Sequence, residues 1–379
     1  MSNTIQAIIT GTGLYHPPHS ISNAELVESY NAYTVRFNEH HADAIATGSE
    51  TALTPSSVEF IEKASGIKNR YVVEKTGVLD PTRMYPNLAP RADSELSLLA
   101  ETCIAAAQEA LVEAGLTGAD IDAVICACAN YARPYPALAI EVQAAIGAQG
   151  FAFDMNVACS SATFGITQGL GQIASGNAQR VLVLSPEITS GHLEWRDRDC
   201  HFIFGDVCTA VILESPALAK NKAGWAVLGT KLVTQYSNNI RNNAGYLSQA
   251  EGRNPDDRDQ RFYQNGRAVF KEVCPLAAAH IETHLAELGK TTPDVRRFWL
   301  HQANINMNLF ITRKMLGRDA TADEAPIILD EFANTAAAGS VIAFHRYKND
   351  LMAGDVGVLC SFGAGYSIGS VVLQKQLAS

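Results

Sequence analysis

The sequence predicts an α/β protein in five layers, α/β/α/β/α, made of two halves related by an internal pseudo-twofold duplication. Residues 94–126 align without gaps to residues 268–300, so that Gly115 falls on Gly289. In both halves, continuous apolar runs alternate with amphipathic helical patterns, which favours mostly parallel sheets covered by helices on both faces. A repeat of this kind bears on the whole fold, so it outweighs any single motif.

The repeat places the boundary between the halves near residue 217. The N-terminal half, 1–217, and the C-terminal half, 218–379, each contain a long helical pattern that ends at a glycine suited to a helix C-cap. Residues 31–57 have no counterpart in the second half, and we interpret them as an insert. The apolar runs that predict further strands are 180–184, 207–213, 357–361 and 370–373.

The composition is typical of a globular protein, because 47% of the 379 residues are hydrophobic and 18% are charged. No apolar run approaches the ~20 residues of a membrane helix, and we recognise no secretory signal. Eight cysteines, mostly within apolar runs, predict reduced thiols in the cytoplasm. The net charge of −10 argues against nucleic acid as a partner. No cysteine or histidine spacing indicates a metal site, and we expect no resident cofactor.

Cys159 is the candidate nucleophile. An apolar strand pattern ends just before it, and small residues at helical spacing follow. This predicts a strand-to-helix elbow in which the helix N-terminus favours the thiolate, the reactive form.

His301 and Asn334 are the candidate partners of that thiol. His301 directly follows a strand pattern in the second repeat copy, and polar Gln302 and Asn304 come next. Extending the repeat with an offset of 175 places Cys159 on Asn334. We therefore expect the thiol and the amide at equivalent positions of one shared site.

Cys159, His301 and Asn334, with the surrounding motifs HQAN, NTAAAGS and FGAGYSIGS, resemble the thiolase superfamily, and most closely its 3-oxoacyl-[acyl-carrier-protein] synthase III family. The resemblance covers nearly the whole chain. It implies a five-layered thiolase-like fold, a homodimer, and a decarboxylative Claisen condensation of an acyl-CoA with malonyl-acyl-carrier protein in fatty acid biosynthesis.

The resemblance also implies roles for single residues. Cys159 would carry the acyl group, His301 and Asn334 would stabilise the enolate, and the N–H groups of Cys159 and Ala364 would form an oxyanion hole. The other implied positions are Phe60, Arg198, Gly266 and Arg267 for CoA, Tyr135 for the partner's acyl pocket, and Lys271 and Arg313 for carrier-protein docking.

Some of these positions depart from the family pattern. Phe60 stands where a tryptophan is usual, Ala64 replaces an arginine, Arg267 replaces an asparagine, and Asn306 replaces a further arginine. The basic face for an acidic carrier protein is therefore thinner than usual. Tyr135 and the insert suggest an acyl group longer than acetyl, of medium length.

Other functions remain open at this point. Another thiolase-fold enzyme could carry out a head-to-head acyl condensation, or act as a polyketide or quinolone starter synthase. A hydroxymethylglutaryl-type synthase would need an acidic base near the thiol, for which Glu187 is the candidate. A thioester hydrolase, a Cys–His–Asn protease and a catalytically silent carrier-binding protein are the alternatives from other classes.

Overall fold

The computed structural model describes residues 6–219 and 221–378. The strands are β1 Ala7–Tyr15, β2 His19–Ser22, β3 Asn69–Val72, β4 Ala123–Ala127, β5 Phe151–Met155, β6 Arg180–Glu187, β7 Val207–Glu214, β8 Gly224–Ser237, β9 Ile240–Arg241, β10 Tyr263–Gln264, β11 Val295–Leu300, β12 Val356–Gly363 and β13 Gly365–Gln376. The helices are α1 Asn23–His40, α2 Ala42–Ala46, α3 Val58–Ser65, α4 Thr76–Leu79, α5 Leu98–Ala114, α6 Leu138–Ile146, α7 Ser161–Ala174, α8 Pro216–Ala219, α9 Gly266–Glu287, α10 Ile305–Leu316, α11 Leu329–Phe332 and α12 Gly339–Arg346.

Nine strands form one hydrogen-bonded sheet in the order β11-β12-β13-β8-β1-β7-β6-β4-β5. Five of these strands belong to the first half, namely β1, β4, β5, β6 and β7. The other four, β8, β11, β12 and β13, belong to the second half, and the antiparallel β1–β8 pair joins the two sets. Only β4–β5, β4–β6 and β11–β12 are parallel. The expectation of mostly parallel sheets was wrong, in part because a one-residue connection between β12 and β13 permits only antiparallel pairing.

Helices α7 and α12 lie between the two parts of the sheet. Helix α7 contacts β6 and β4 of the first half and β12 and β13 of the second, whereas α12 contacts β11, β12 and β1. Helices α5 and α6 cover the outer face of the first part, and α9 and α10 cover that of the second. The five-layered arrangement predicted from the sequence is confirmed.

The duplication is visible in local geometry. Gly115 and Gly289 follow equivalent helices in the left-handed conformation, with φ of 66° and 67°. A capping box follows each glycine, in which Asp120 and Asp294 accept hydrogen bonds from the threonine three residues earlier. The gapless repeat therefore corresponds to the same helix, turn and strand in both halves.

Residues 31–57 include the end of α1, all of α2 and a return segment. Asn31 and Asn38 in α1 bond the backbone of Ser56 and Leu53. The return segment then reaches Arg198, whose Nε donates to the Pro55 carbonyl at 2.8 Å. The insert is thus ordered by its own asparagines and packs beside a predicted CoA contact.

We expect Gly13→Ala to destabilise the protein by at least ~2 kcal/mol. Strand β1 packs so closely on α5 that a Cβ at Gly13 would lie 1.9 Å from the Ala106 carbonyl oxygen. Gly171→Ala is the control, because that exposed site in α7 has no atom within 4 Å of the added carbon, and helix propensity predicts ~0.5–1 kcal/mol of stabilisation. Urea unfolding of both variants is the measurement. Equal effects of the two changes would contradict this packing.

Candidate active site

Two matching turns hold the candidate nucleophile and the candidate amide. Ala158 and Ala336 have φ of 47° and 46°, a conformation that is rare for residues other than glycine. The N–H of Ala158 donates to Asn156 Oδ1 at 2.8 Å, and the N–H of Ala336 donates to Asn334 Oδ1 at 2.9 Å. A short 3₁₀ turn and then α7 or α12 follow directly.

This geometry corrects the predicted register between the two halves. The matching alanines are 178 residues apart, not 175, so Asn334 is equivalent to Asn156 and Cys159 to Ala337. The prediction that Cys159 and Asn334 occupy equivalent positions was wrong. The error arose because the connection between the repeated strand, whose copies are 174 residues apart, and the turn is four residues longer in the second half.

The structure nevertheless brings Cys159, His301 and Asn334 into one cavity of about 210 Å³. Cys159 comes from the turn after β5, His301 directly follows β11, and Asn334 follows α11. The Asn334 backbone is fixed by hydrogen bonds with Ile203 and Gly205. Its Oδ1 is bonded within the turn, and its Nδ2 is the group that can donate to a bound molecule.

Burial raises the pKa of the Cys159 thiol to about 12, and Glu187 acts in the same direction when its carboxyl is ionised. The N–H groups of Ala364 and Cys159 lower the pKa, but by less. The expectation that the helix N-terminus makes the thiol acidic was therefore wrong, because loss of solvation outweighs the backbone dipoles. The thiol is protonated at neutral pH, and a base must take its proton during attack.

His301 is the group placed to take part in proton transfer. It is buried, its backbone N–H donates to the Cys360 carbonyl, and its ring contacts the edge of Phe362. Burial lowers the pKa of His301 to about 4, although a hydrogen bond with the Ala336 backbone raises it slightly. The imidazole is therefore neutral at neutral pH and can accept one proton and donate another.

The hairpin between β12 and β13 closes the cavity above the thiol. A Cβ added to Gly363 would lie 2.5 Å from the Cys159 Cβ, so only glycine fits there. The Ala364 N–H that follows lies close enough to the thiol to stabilise its charged form. Two backbone donors therefore face the sulfur, and their role as an oxyanion hole for the thioester carbonyl stays a prediction.

Glu187 lies at the end of β6, behind the thiol. Its Oε1 accepts hydrogen bonds from Ala129 and Ala337 at 3.0 and 3.2 Å, and burial raises its pKa to about 8. A carboxyl group that is mostly protonated at neutral pH is a poor base. The structure thus assigns Glu187 to holding the turn after Asn334 against the loop after β4.

The predicted binding residues are more dispersed. Gly266 and Ala64 line the thiol cavity, whereas Arg267 is exposed. The Arg198 guanidinium lies 3.8 Å from the centre of the Phe60 ring, outside the lining of this cavity. The two predicted CoA contacts therefore stack on each other.

The residues predicted for docking and for the partner's pocket lie on the surface. Tyr135 is 81% exposed and does not line the thiol cavity. Lys271 is exposed on α9, and Arg313 on α10 pairs with Asp319 at 2.6 Å. Their roles stay predictions, since a single chain contains no partner surface.

Aromatic residues of the cavity were missed by the sequence reasoning. Phe202, Phe204 and Phe262 line it together with Met307. The aromatic run at 202–206, just before β7, could have indicated a cavity lining. It was not recognised because apolar runs beside strands usually belong to the hydrophobic core. A second, larger cavity of about 890 Å³ is lined in part by His192, whose ring stacks on Phe204.

Comparison with known proteins agrees with this geometry. Residues 153–235 match the family model described as 3-oxoacyl-[acyl-carrier-protein (ACP)] synthase III, and residues 285–375 match its C-terminal model. A beta-ketodecanoyl-[acyl-carrier-protein] synthase of Pseudomonas aeruginosa is 57% identical over 349 residues, which cover 92% of this chain and all of the relative. The chain belongs to the 3-oxoacyl-[acyl-carrier-protein] synthase III family. It is an acyltransferase of the condensing-enzyme class, as predicted.

More distant members and solved structures extend the comparison. The beta-ketoacyl-[acyl-carrier-protein] synthase III of Dinoroseobacter shibae is 30% identical and covers 97% of this chain and 99% of its own. The synthase III structure from Aquifex aeolicus covers 97% of this chain and 99% of its own, with a TM-score of 0.76 at 23% identity. Xanthomonas campestris OleA with bound lauric acid and lauroyl-CoA covers 97% and 98%, with a TM-score of 0.72 at 17% identity. These two structures establish the shared fold.

Two features are absent from residues 6–219 and 221–378. No group of three or more metal-ligating side chains is present there. No helix in those ranges has the length and apolar character to cross a membrane.

We expect alkylation of Cys159 by iodoacetamide to accelerate about tenfold per pH unit between pH 7 and 9, because the thiolate fraction rises in that proportion below the thiol pKa. The rate is followed by peptide mass spectrometry, with buried Cys360 as the internal control. A rate that is already constant above pH 6 would show an acidic thiol and contradict the effect of burial.

Proposed function

We propose that this enzyme transfers a medium-chain acyl group from CoA to Cys159 and condenses it with malonyl-acyl-carrier protein, releasing CO₂. The observation that carries the proposal is the convergence of Cys159, His301 and Asn334 on one cavity whose thiol faces two backbone donors. The name of the 57%-identical relative supports the carrier-protein product.

The length of the acyl group follows from the chemistry of condensation. Malonyl adds two carbons and loses one as CO₂, so a beta-ketodecanoyl product arises from an eight-carbon acyl donor. The relative's name thus suggests octanoyl-CoA as the donor for this chain. We infer that such a tail extends past Phe204 toward the cavity of about 890 Å³ that His192 lines.

The first half-reaction forms an acyl-enzyme. Cys159 Sγ attacks the thioester carbonyl, the bond between that carbon and the CoA sulfur breaks, and the thiol proton passes through His301 to the departing CoA thiolate. The carbonyl oxygen carries negative charge in the transition state, and the N–H groups of Cys159 and Ala364 stabilise it.

The second half-reaction uses the same imidazole as a donor. The bond between C2 and the carboxylate of malonyl breaks, and its electron pair moves into an enolate whose oxygen accepts hydrogen bonds from His301 and Asn334. The C2 carbanion attacks the acyl-Cys159 carbonyl, the bond from that carbon to the Cys159 sulfur breaks, and the thiolate takes up a proton from solvent. Because Asn334 cannot accept a proton from C2, the site favours decarboxylation over deprotonation.

We also propose that the enzyme acts as a homodimer, in which the exposed Tyr135 enters the partner's acyl cavity. Exposed Lys271 is the basic contact for an acidic carrier protein. Arg313 contributes less to that contact because it is already paired with Asp319. Carrier-protein binding should therefore depend less on salt concentration than it would with the fuller basic face of the family pattern.

We expect kcat/KM for octanoyl-CoA to exceed that for acetyl-CoA by at least about 100-fold, because six additional methylenes leave water for contact with apolar side chains such as Phe202, Phe204 and Met307. The measurement is release of ¹⁴CO₂ from malonyl-carrier protein with acyl-CoAs of two to twelve carbons. A preference for acetyl-CoA would contradict the proposed donor. CO₂ release without a longer product would contradict the condensation.

We expect Asn334→Asp to reduce condensation by about 100-fold or more and acylation of Cys159 by much less, because the carboxylate keeps the bond to the Ala336 N–H but loses the donor. Asn156→Asp, the equivalent change in the other turn, is the matched control. Single-turnover acylation and condensation are timed separately. An equal loss in both steps for Asn334→Asp would rule out its role at the enolate.

A further inference from the structure

The two cavities share an aromatic wall made of Phe204, Phe262 and His192. Phe204 and Phe262 line the thiol cavity, while His192 lines the larger cavity behind them. The His192 ring is stacked on Phe204, with centroids 5.3 Å apart and planes 17° apart, and it meets Phe262 edge-on at 6.2 Å. An acyl chain that extends from Cys159 toward the larger cavity would meet these rings.

The hydrogen bonds of His192 determine which nitrogen carries its hydrogen. The amide Nδ2 atoms of Asn242 and Asn130 lie 3.2 and 3.4 Å from its Nδ1. Amide nitrogens donate, so Nδ1 accepts. Burial lowers the pKa of His192 to about 4, and the ring is neutral at neutral pH. The hydrogen is therefore on Nε2.

Nε2 is buried and has no hydrogen-bond partner within the described part of the chain. It is separated by Cε1 from the Nδ1 atom that the two asparagines approach. A buried N–H without an acceptor costs ~1–3 kcal/mol, so an acceptor atom brought to it by a ligand would be favoured.

We propose that His192 is a specificity residue for medium-chain acyl groups that carry an oxygen, as a hydroxyl or keto group, along the chain. The oxygen accepts a hydrogen bond from Nε2–H as the chain passes the wall, and the remaining carbons occupy the larger cavity. This inference rests on the proposed function and adds to it a second class of acyl donor beside unsubstituted octanoyl.

The test is a competition between acyl-CoAs of equal length. Octanoyl-CoA is compared with 3-, 5- and 7-hydroxyoctanoyl-CoA and with 3-oxooctanoyl-CoA, in wild type, His192→Phe and His192→Gln. Phenylalanine retains the aromatic ring and removes the donor, whereas glutamine restores an N–H. His19→Phe, at an exposed histidine on β2, controls for the substitution itself.

We expect at least one oxygenated donor to have a kcat/KM equal to or above that of octanoyl-CoA in wild type. His192→Phe should lower the ratio of oxygenated to plain kcat/KM by about tenfold, and His192→Gln should recover part of it. The carbon that carries the oxygen in the preferred donor shows which part of the bound acyl chain lies beside His192 Nε2. The hydroxyl and keto donors together show which acceptor is used.

The inference is overturned if every oxygenated donor is poorer than octanoyl-CoA by the same factor in wild type and in His192→Phe. It is also overturned by a second combination of results: wild type prefers octanoyl-CoA to every oxygenated donor, and neither His192 variant forms an acyl group on Cys159. Failure of wild type to acylate Cys159 with octanoyl-CoA would instead contradict the proposed function, so the two failures are distinguishable.

Discussion

Two left-handed turns, at Ala158 and Ala336, meet between the sheet layers, and the site depends on both. Each costs ~1–3 kcal/mol of backbone strain, and each is held by an asparagine Oδ1 that accepts the alanine N–H. Without the first turn the thiol would not point into the cavity, and without the second the Asn334 amide would not. Glu187 connects them by accepting the N–H of Ala337 in the second turn and the N–H of Ala129 in the loop after β4.

Burial sets the electrostatics of the site. It holds the Cys159 thiol, the His301 imidazole and the Glu187 carboxyl in their neutral forms at neutral pH. A neutral site accommodates a neutral thioester without an ion to desolvate, and charge develops only during reaction, where fixed N–H donors already face it. Decarboxylation generates the enolate without removing a proton from C2, so the Asn334 amide needs only to donate a hydrogen bond. An enzyme that deprotonates C2 would need a base at that position.

The sequence predicted much of this architecture, for identifiable reasons. Gly115, Gly289 and the capping boxes after them are local signals, and they appeared where the gapless repeat placed them. The register between Cys159 and Asn334 was missed by three residues because an insertion in a connecting segment leaves no local signal. The thiol pKa was misjudged because a helix N-terminus can be read from sequence, whereas the depth of burial is a tertiary property. His192 was passed over for the same reason, since its surroundings come from separate segments.

The central claim is that Cys159 carries the acyl group and that the other two side chains act on the second substrate. Peptide mapping after incubation with octanoyl-CoA, followed by a chase with malonyl-carrier protein, tests it most directly. The account predicts an octanoyl thioester on the Cys159 peptide alone, which disappears during the chase as a ten-carbon ketoacyl carrier protein forms. An acyl group on any other residue, or an adduct on Cys159 that the chase releases only as free octanoate, would contradict it.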